Sequence, residues 1–133
     1  MNLDSSESNC KLRDLDTALI DLLHAIQKGD IKTYLDRVSD QVSCFEPESR
    51  GHLLRGIGLH RFLVERTSQE GEYHIELVDP LIRVDGNMAF AAYTLLLTEM
   101  TDQGEKIHGE NVTRIFHQEE GSWKMIHFHR SFM

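Results

Sequence analysis

The segments Asn111-Val112-Thr113-Arg114-Ile115-Phe116-His117 and Trp123-Lys124-Met125-Ile126-His127-Phe128-His129-Arg130-Ser131, joined through Glu120-Gly121, read as two antiparallel β-strands. Alternate residues of a strand share a face, so Val112, Arg114 and Phe116 line one side, and Ile126, Phe128 and Arg130 line one side of the next strand. Two arginines then stand among apolar neighbours. A guanidinium keeps its proton and is costly to bury alone, so each arginine needs a carboxylate partner or an anionic ligand. The pattern points to a sheet with a pocket on its apolar face.

Working outward, residues 73–84, 88–100, 107–117 and 122–131 are strand candidates, and Asp85-Gly86-Asn87, Asp102-Gln103-Gly104 and Glu120-Gly121 suit hairpin turns between them. Pro80 removes a ladder donor and belongs at an edge or bulge. Leu95 and Leu97 cannot share a face with Leu96, so their strand is expected to be buried on both sides, as at an obligate interface. Met88, Phe90, Met125 and residues 94–97 could supply that interface on the convex face. Trp123 reads as core or interface packing.

Ahead of the strands, Leu12, Leu15, Leu19, Leu22, Leu23 and Ile26 recur at the three- and four-residue steps of an amphipathic helix, with Gly29 as its stop. Asp30 can cap a second helix carrying Ile31, Tyr34, Leu35 and Val38. An apolar run over 42–45 and Glu46-Pro47-Glu48 lead to a third helix over 56–66, with Ile57, Leu59, Phe62 and Leu63 inward. Helices followed by a long meander make an α+β fold in which a strongly bent sheet wraps around a helix. The 133 residues suit one domain, taken as 11–133 behind a frayed or disordered segment 1–10.

A net charge of −8 argues against nucleic acid, whose binding depends on clustered Lys and Arg. Cys10 and Cys44 read as two free thiols, with neither a disulfide framework nor a zinc-type cysteine pair. The stretch Met1-Asn2-Leu3-Asp4-Ser5-Ser6-Glu7 has no basic or apolar targeting region, and no run reaches membrane-spanning length. A soluble cytoplasmic protein with no membrane partner is expected.

Ala25-Ile26 with Gly29-Asp30, Phe45-Glu46-Pro47-Glu48, Gly51 with Leu53, Gly56, His60-Arg61-Phe62, Ala92-Tyr93, Thr113-Arg114 with His117, Gly121-Ser122-Trp123-Lys124 and His127-Phe128-His129-Arg130-Ser131 fall in a familiar order. From about Leu19 onward the chain resembles the association (hub) domain of calcium/calmodulin-dependent protein kinase II, in the nuclear-transport-factor-2-like, SnoaL-like superfamily. The resemblance implies a cone-shaped α+β barrel, or cystatin-like roll, with helices packed in a bent antiparallel or mixed sheet. It also implies homodimers that can stack into larger rings. The sequence holds no Gly-rich loop, His-Arg-Asp loop or Asp-Phe-Gly element, so no kinase activity of its own is expected. Asp14, Asp16 and Asp21 on the first helix argue against a basic calmodulin target.

The resemblance further implies a central cavity for a small carboxylate or polar molecule, with Arg114, Arg130 and His60 at the family's ligand-binding positions. A further family arginine is missing from Tyr93-Thr94-Leu95-Leu96-Leu97, and no aromatic is evident at Thr67-Ser68-Gln69-Glu70, so one wall should be less positive and more apolar. Bland readings compete with each role. Arg114 and Arg130 could pair internally with Glu46, Glu48, Glu99 or Glu110, and Glu46 and Glu48 could be structural acceptors. His60 could be a core or surface histidine. His117, His127 and His129 could converge on a metal, but no carboxylate spacing completes such a site, so no metal and no cofactor are assigned. The enzymatic alternative is an isomerase, dehydratase or hydrolase of the SnoaL type acting on a small acidic substrate. There His60 or Glu48 would be the base, Tyr93 the available hydroxyl, and Arg114 and Arg130 the substrate anchors.

Overall fold

Leucines 15, 19, 22 and 23 form a fully buried stripe along helix α1 (Ser5–Lys28), as their spacing predicts, while Leu12 lies toward solvent. The computed structural model describes residues 5–66 and 71–133, so the expectation at Thr67-Ser68-Gln69-Glu70 lies outside the described residues. The α1 backbone is already helical from Ser5, upstream of the expected domain start at 11, and no Gly or Pro interrupts it over 5–10. Residues 1–4 of that expected frayed segment lie outside the described residues. Gly29, at φ 69°, ends α1 and lets the Asp30 N–H reach the Ala25 carbonyl at 2.9 Å. Asp30 then caps α2 (Ile31–Arg37), accepting from the Thr33 N–H at 3.2 Å and from its hydroxyl at 2.7 Å.

Val38, expected on the second helix, opens strand β1 (Val38–Phe45). A single 3-10 turn (Pro47–Ser49) follows, then the two-residue strand β2 (Leu54–Arg55) and helix α3 (Gly58–Arg66). The inward face of α3 differs in part from expectation. Ile57 packs on the core and Leu63 lines the cavity as expected, but Phe62 is 48 % exposed, Leu59 lies outside the described side chains, and the buried side chains among the described ones are His60 and Val64. A helix of nine residues crossing the mouth of a cone has too few apolar positions for their spacing to single out one face.

Four long strands complete the fold: β3 (Tyr73–Asp85), β4 (Met88–Thr101), β5 (Gly104–Glu119) and β6 (Ser122–Phe132). They form an antiparallel meander, and β1 adds to β6 in parallel, giving one sheet of order β2-β1-β6-β5-β4-β3. Pro80 sits both on an edge strand and at a register shift between Val78 and Leu81, where Asp79 takes φ 50°. The sheet curls around α1, and its concave face carries Ala89, Ala91, Tyr93, Leu95 and Leu97 of β4 inward. The alternating Phe90, Ala92, Thr94 and Leu96 face out and are half-buried in the single chain.

One register shift rewrites the face assignment of β6. Ile115 pairs with His127 and Phe116 with Met125, so Ile126 is the extra residue of a bulge. Trp123, Met125 and Phe128 therefore all point into the core, and Ile126 does not share a face with Phe128. Met125, expected to supply convex surface, is fully buried, and Trp123 is core.

Candidate functional site

The inner wall of the cone leaves a cavity of about 460 Å³ between α1, α2, α3 and the curled sheet. Leu95, Leu97 and Ile75 give the cavity apolar lining. Polar lining groups come from the end of β1, the turn after it, α3, β5 and β6.

Arg130 on β6 is matched by the protein's own carboxylates. Its Nη2 donates to Glu110 Oε1 at 2.7 Å and its Nε to Glu110 Oε2 at 3.1 Å, a two-pronged pair. Its Nη1 donates to Glu46 Oε2 at 2.7 Å and reaches Glu48 Oε2 at 3.4 Å. Burial acts against the guanidinium charge, but the Glu110, Glu48 and Glu46 carboxylates outweigh it and hold the Arg130 pKa above its ordinary value.

Arg114 on β5 is placed differently. It is 3 % exposed, its Nε donates to the Tyr93 hydroxyl at 2.8 Å, and its Nη1 donates to Met125 Sδ at 3.3 Å. Its guanidinium carbon lies 5.2 Å from the centre of the Phe128 ring. Among the described residues no carboxylate pairs with Arg114, while part of its five-donor fork remains on the cavity wall. Tyr93 is thereby engaged with Arg114.

A third polar group forms around Glu46. Val42, Cys44 and Glu46 follow the two-residue period of β1 onto one buried face. The turn after β1 is locked by Ser49, whose hydroxyl donates to the Glu46 carbonyl at 2.8 Å and accepts from the Glu46 N–H at 3.2 Å. His60 Nε2 lies 3.2 Å from Glu46 Oε1 and 3.2 Å from Cys44 Sγ, while its Nδ1 is buried without a partner among the described residues. Burial alone would raise the Glu46 carboxyl, but His60 and Arg130 outweigh it and hold the pKa below the usual carboxylate range. Burial and the Glu46 charge push the Cys44 thiol up to about 12, so it stays protonated. Burial likewise raises the Tyr34 phenol, a neutral hydroxyl on the cavity floor.

The remaining candidates separate. Glu48 has a side chain 42 % exposed and reaches only Arg130. His127 and His129 flank the Phe45 ring at 6.1 and 5.5 Å, and His127 Nδ1 meets Ser43 Oγ at 2.7 Å. Burial and the neighbouring His129 push His127 below its ordinary pKa. His117 lies 3.6 Å from Glu119, near the far end of its strand, so the three imidazoles do not meet. Among the described residues the one group of three metal-type donors within 4.8 Å of one another is Cys44, Glu46 and His60. Sequence reasoning passed over Tyr34 and His108 as cavity-lining residues and Cys44 as a buried neighbour of His60. The period 42/44/46 was the available signal for Cys44.

A sequence model described as the calcium/calmodulin-dependent protein kinase II association domain matches residues 12–133. Calcium/calmodulin-dependent protein kinase type II of Caenorhabditis briggsae is 28 % identical over 130 residues, covering 96 % of this chain and 24 % of the kinase. The chain thus spans about a quarter of the kinase it matches. The solved association domain of the C. elegans kinase is 29 % identical with a TM-score of 0.85, covering 96 % of this chain and 99 % of that domain. At the level of fold alone, a nuclear transport factor 2-like superfamily protein of Salmonella enterica superposes with a TM-score of 0.71 at 19 % identity, covering 90 % and 89 % of the two chains.

Proposed function

This chain belongs to the calcium/calmodulin-dependent protein kinase II association-domain family, and from that premise we propose that it is a self-associating module whose cone holds a small carboxylate. Arg114 is the observation that carries the ligand half of this reading. It is a buried cation on a cavity wall, partnered by a phenol, a thioether and a ring face, and these neutralise none of its charge. A carboxylate supplies the missing charge and fits the planar fork. His60, whose buried Nδ1 has no partner among the described residues, lines the same cavity, and Leu95 and Leu97 offer apolar lining for the rest of the molecule. Arg130, satisfied by three carboxylates, orders the mouth instead of serving as the ligand's anchor.

Self-association is supported by family membership and by the half-buried convex residues Phe90 and Leu96, whose burial a second copy would complete. The enzymatic alternative has weaker support. Glu48 has an exposed side chain that meets Arg130, Tyr93 already accepts from Arg114, and His60 Nε2 faces Glu46. Among the described residues no helix is long and apolar enough to cross a membrane.

Native mass spectrometry of protein purified without added ligand tests both halves. A dimer or larger ring is expected, and a monodisperse monomer at micromolar concentration would contradict the assembly. A panel of short aliphatic and aromatic carboxylates should raise the unfolding temperature of the wild type and leave Arg114→Met unmoved. Equal shifts in both proteins would remove Arg114 from the ligand site.

A further inference from the structure

The end of strand β1 and the extended residue just past it set Cys44 and Glu46 two residues apart on one face, and α3 lays His60 against both. We propose that Cys44 Sγ, His60 Nε2 and Glu46 Oε1 form a site for a borderline-soft divalent ion of the zinc class, open toward the cavity.

The donor set supports this first. A thiol, an imidazole and a carboxylate are the ligand types that zinc accepts, and their mixture disfavours the hard, all-oxygen ions. Spacing supports it next. A tetrahedral ion with bonds of about 2.0–2.3 Å holds its donors about 3.3–3.6 Å apart. The two contacts at His60 Nε2 are 3.2 Å each, so those pairs need to part by only a few tenths of an ångström, and all three donors lie within 4.8 Å of one another. Rigidity is the third support. Cys44, Glu46 and His60 are 0, 5 and 4 % exposed, each on a strand, helix or hydrogen-bonded strand end.

Charge closes without new groups. A thiolate, a carboxylate and a neutral imidazole around a divalent ion sum to zero, so the complex carries no net charge into the interior. Glu46 Oε2 keeps its 2.7 Å contact with Arg130, an outer partner that fixes the orientation of the ligating carboxylate, while Oε1 faces His60. On binding, the Cys44 S–H bond breaks and its proton passes to solvent, the ion sheds water, and metal–sulfur, metal–nitrogen and metal–oxygen bonds form. Nothing is oxidised or reduced. Because Glu46 and His60 both line the cavity, the fourth position is left for a water or a small anion.

Cobalt(II) is the probe, since a cobalt–thiolate bond absorbs in the near ultraviolet and a tetrahedral site gives strong visible bands. Full-length Cys10→Ser, which alters only the exposed cysteine, should show both features at one cobalt per chain, and zinc should erase them. Cys44→Ser should abolish the charge-transfer band, and His60→Gln, which leaves the thiol in place, should weaken cobalt binding by about tenfold or more. Circular dichroism checks that each variant is folded. Absence of the band in folded Cys10→Ser, or its persistence in Cys44→Ser, would overturn the site. Arg114→Met retains every donor, so it should bind cobalt normally, which separates failure of this site from failure of the carboxylate pocket.

Discussion

Arg114 and Glu46 are both buried and charged, yet they bear on stability in opposite ways. Arg114 has no carboxylate among the described residues, so its burial is a cost that the fold bears for the pocket. Arg114→Met keeps the volume and removes the charge. It should raise the free energy of unfolding by about 1–3 kcal/mol in urea titrations while carboxylate binding disappears. Glu46 has its pKa lowered by His60 and Arg130 against the opposing effect of burial. A carboxyl that binds its proton less readily in the folded than in the unfolded protein contributes its full stability above the ordinary carboxylate range. That contribution is lost as pH falls through the depressed folded value. Urea midpoints measured from about pH 6 down to about pH 3 should therefore drop in the wild type and drop less steeply in Glu46→Gln. Arg114 was legible from strand alternation alone, whereas Phe128 joins Trp123 and Met125 on the core face only through the bulge at Ile126. The partners of Arg130 were legible only as candidates, because Glu46, Glu48 and Glu110 come from a strand end, a turn and another strand that only tertiary structure brings together.

Among the elements, the hairpins carried the clearest local signals. All three expected turns are present, and β3 to β6 begin and end within three residues of their expected bounds. The bulge at Ile126 was not legible. Nothing in Met125-Ile126-His127 marks an extra residue, and only the demand that Trp123, Met125 and Phe128 all reach the core imposes it. Strand β2, two residues long, gave no periodicity to find. The β5–β6 turn also stores strain, since Glu120 takes φ 50° and Gly121 φ 84°. A left-handed conformation disfavours a residue with a Cβ, and Asn and Gly tolerate it best in such two-residue turns. Glu120→Asn should stabilise the protein by about 0.5–1 kcal/mol in chemical denaturation with no change in oligomeric state.

At the scale of the whole molecule, one chain covers its concave face with helices and leaves the convex face of β4 partly exposed. If a second copy completes that burial, unfolding and dissociation are linked. Tenfold dilution should then cost a dimer about 1.4 kcal/mol of apparent stability, seen as a lower unfolding temperature in calorimetry. A concentration-independent transition would speak for a monomer. With a net charge of −8 on each chain, added salt should favour assembly by screening repulsion. The parallel pairing of β1 with β6 has a further consequence, for the order of events at the ribosome. Glu46 and Arg130 are neighbours in space but 84 residues apart in the chain. Helices α1 to α3 and strands β1 to β5 are synthesised before β6, yet the cavity wall formed by Phe128 and the cation that neutralises Glu46 belong to β6. Until β6 inserts, β1 and β5 are both open edges, and the nascent chain both lacks a closed cavity and is exposed to strand exchange with a neighbour. Cavity closure thus depends on the last strand made, because the wall at Phe128 and the cation beside Glu46 form only when the two halves of this sequence have met.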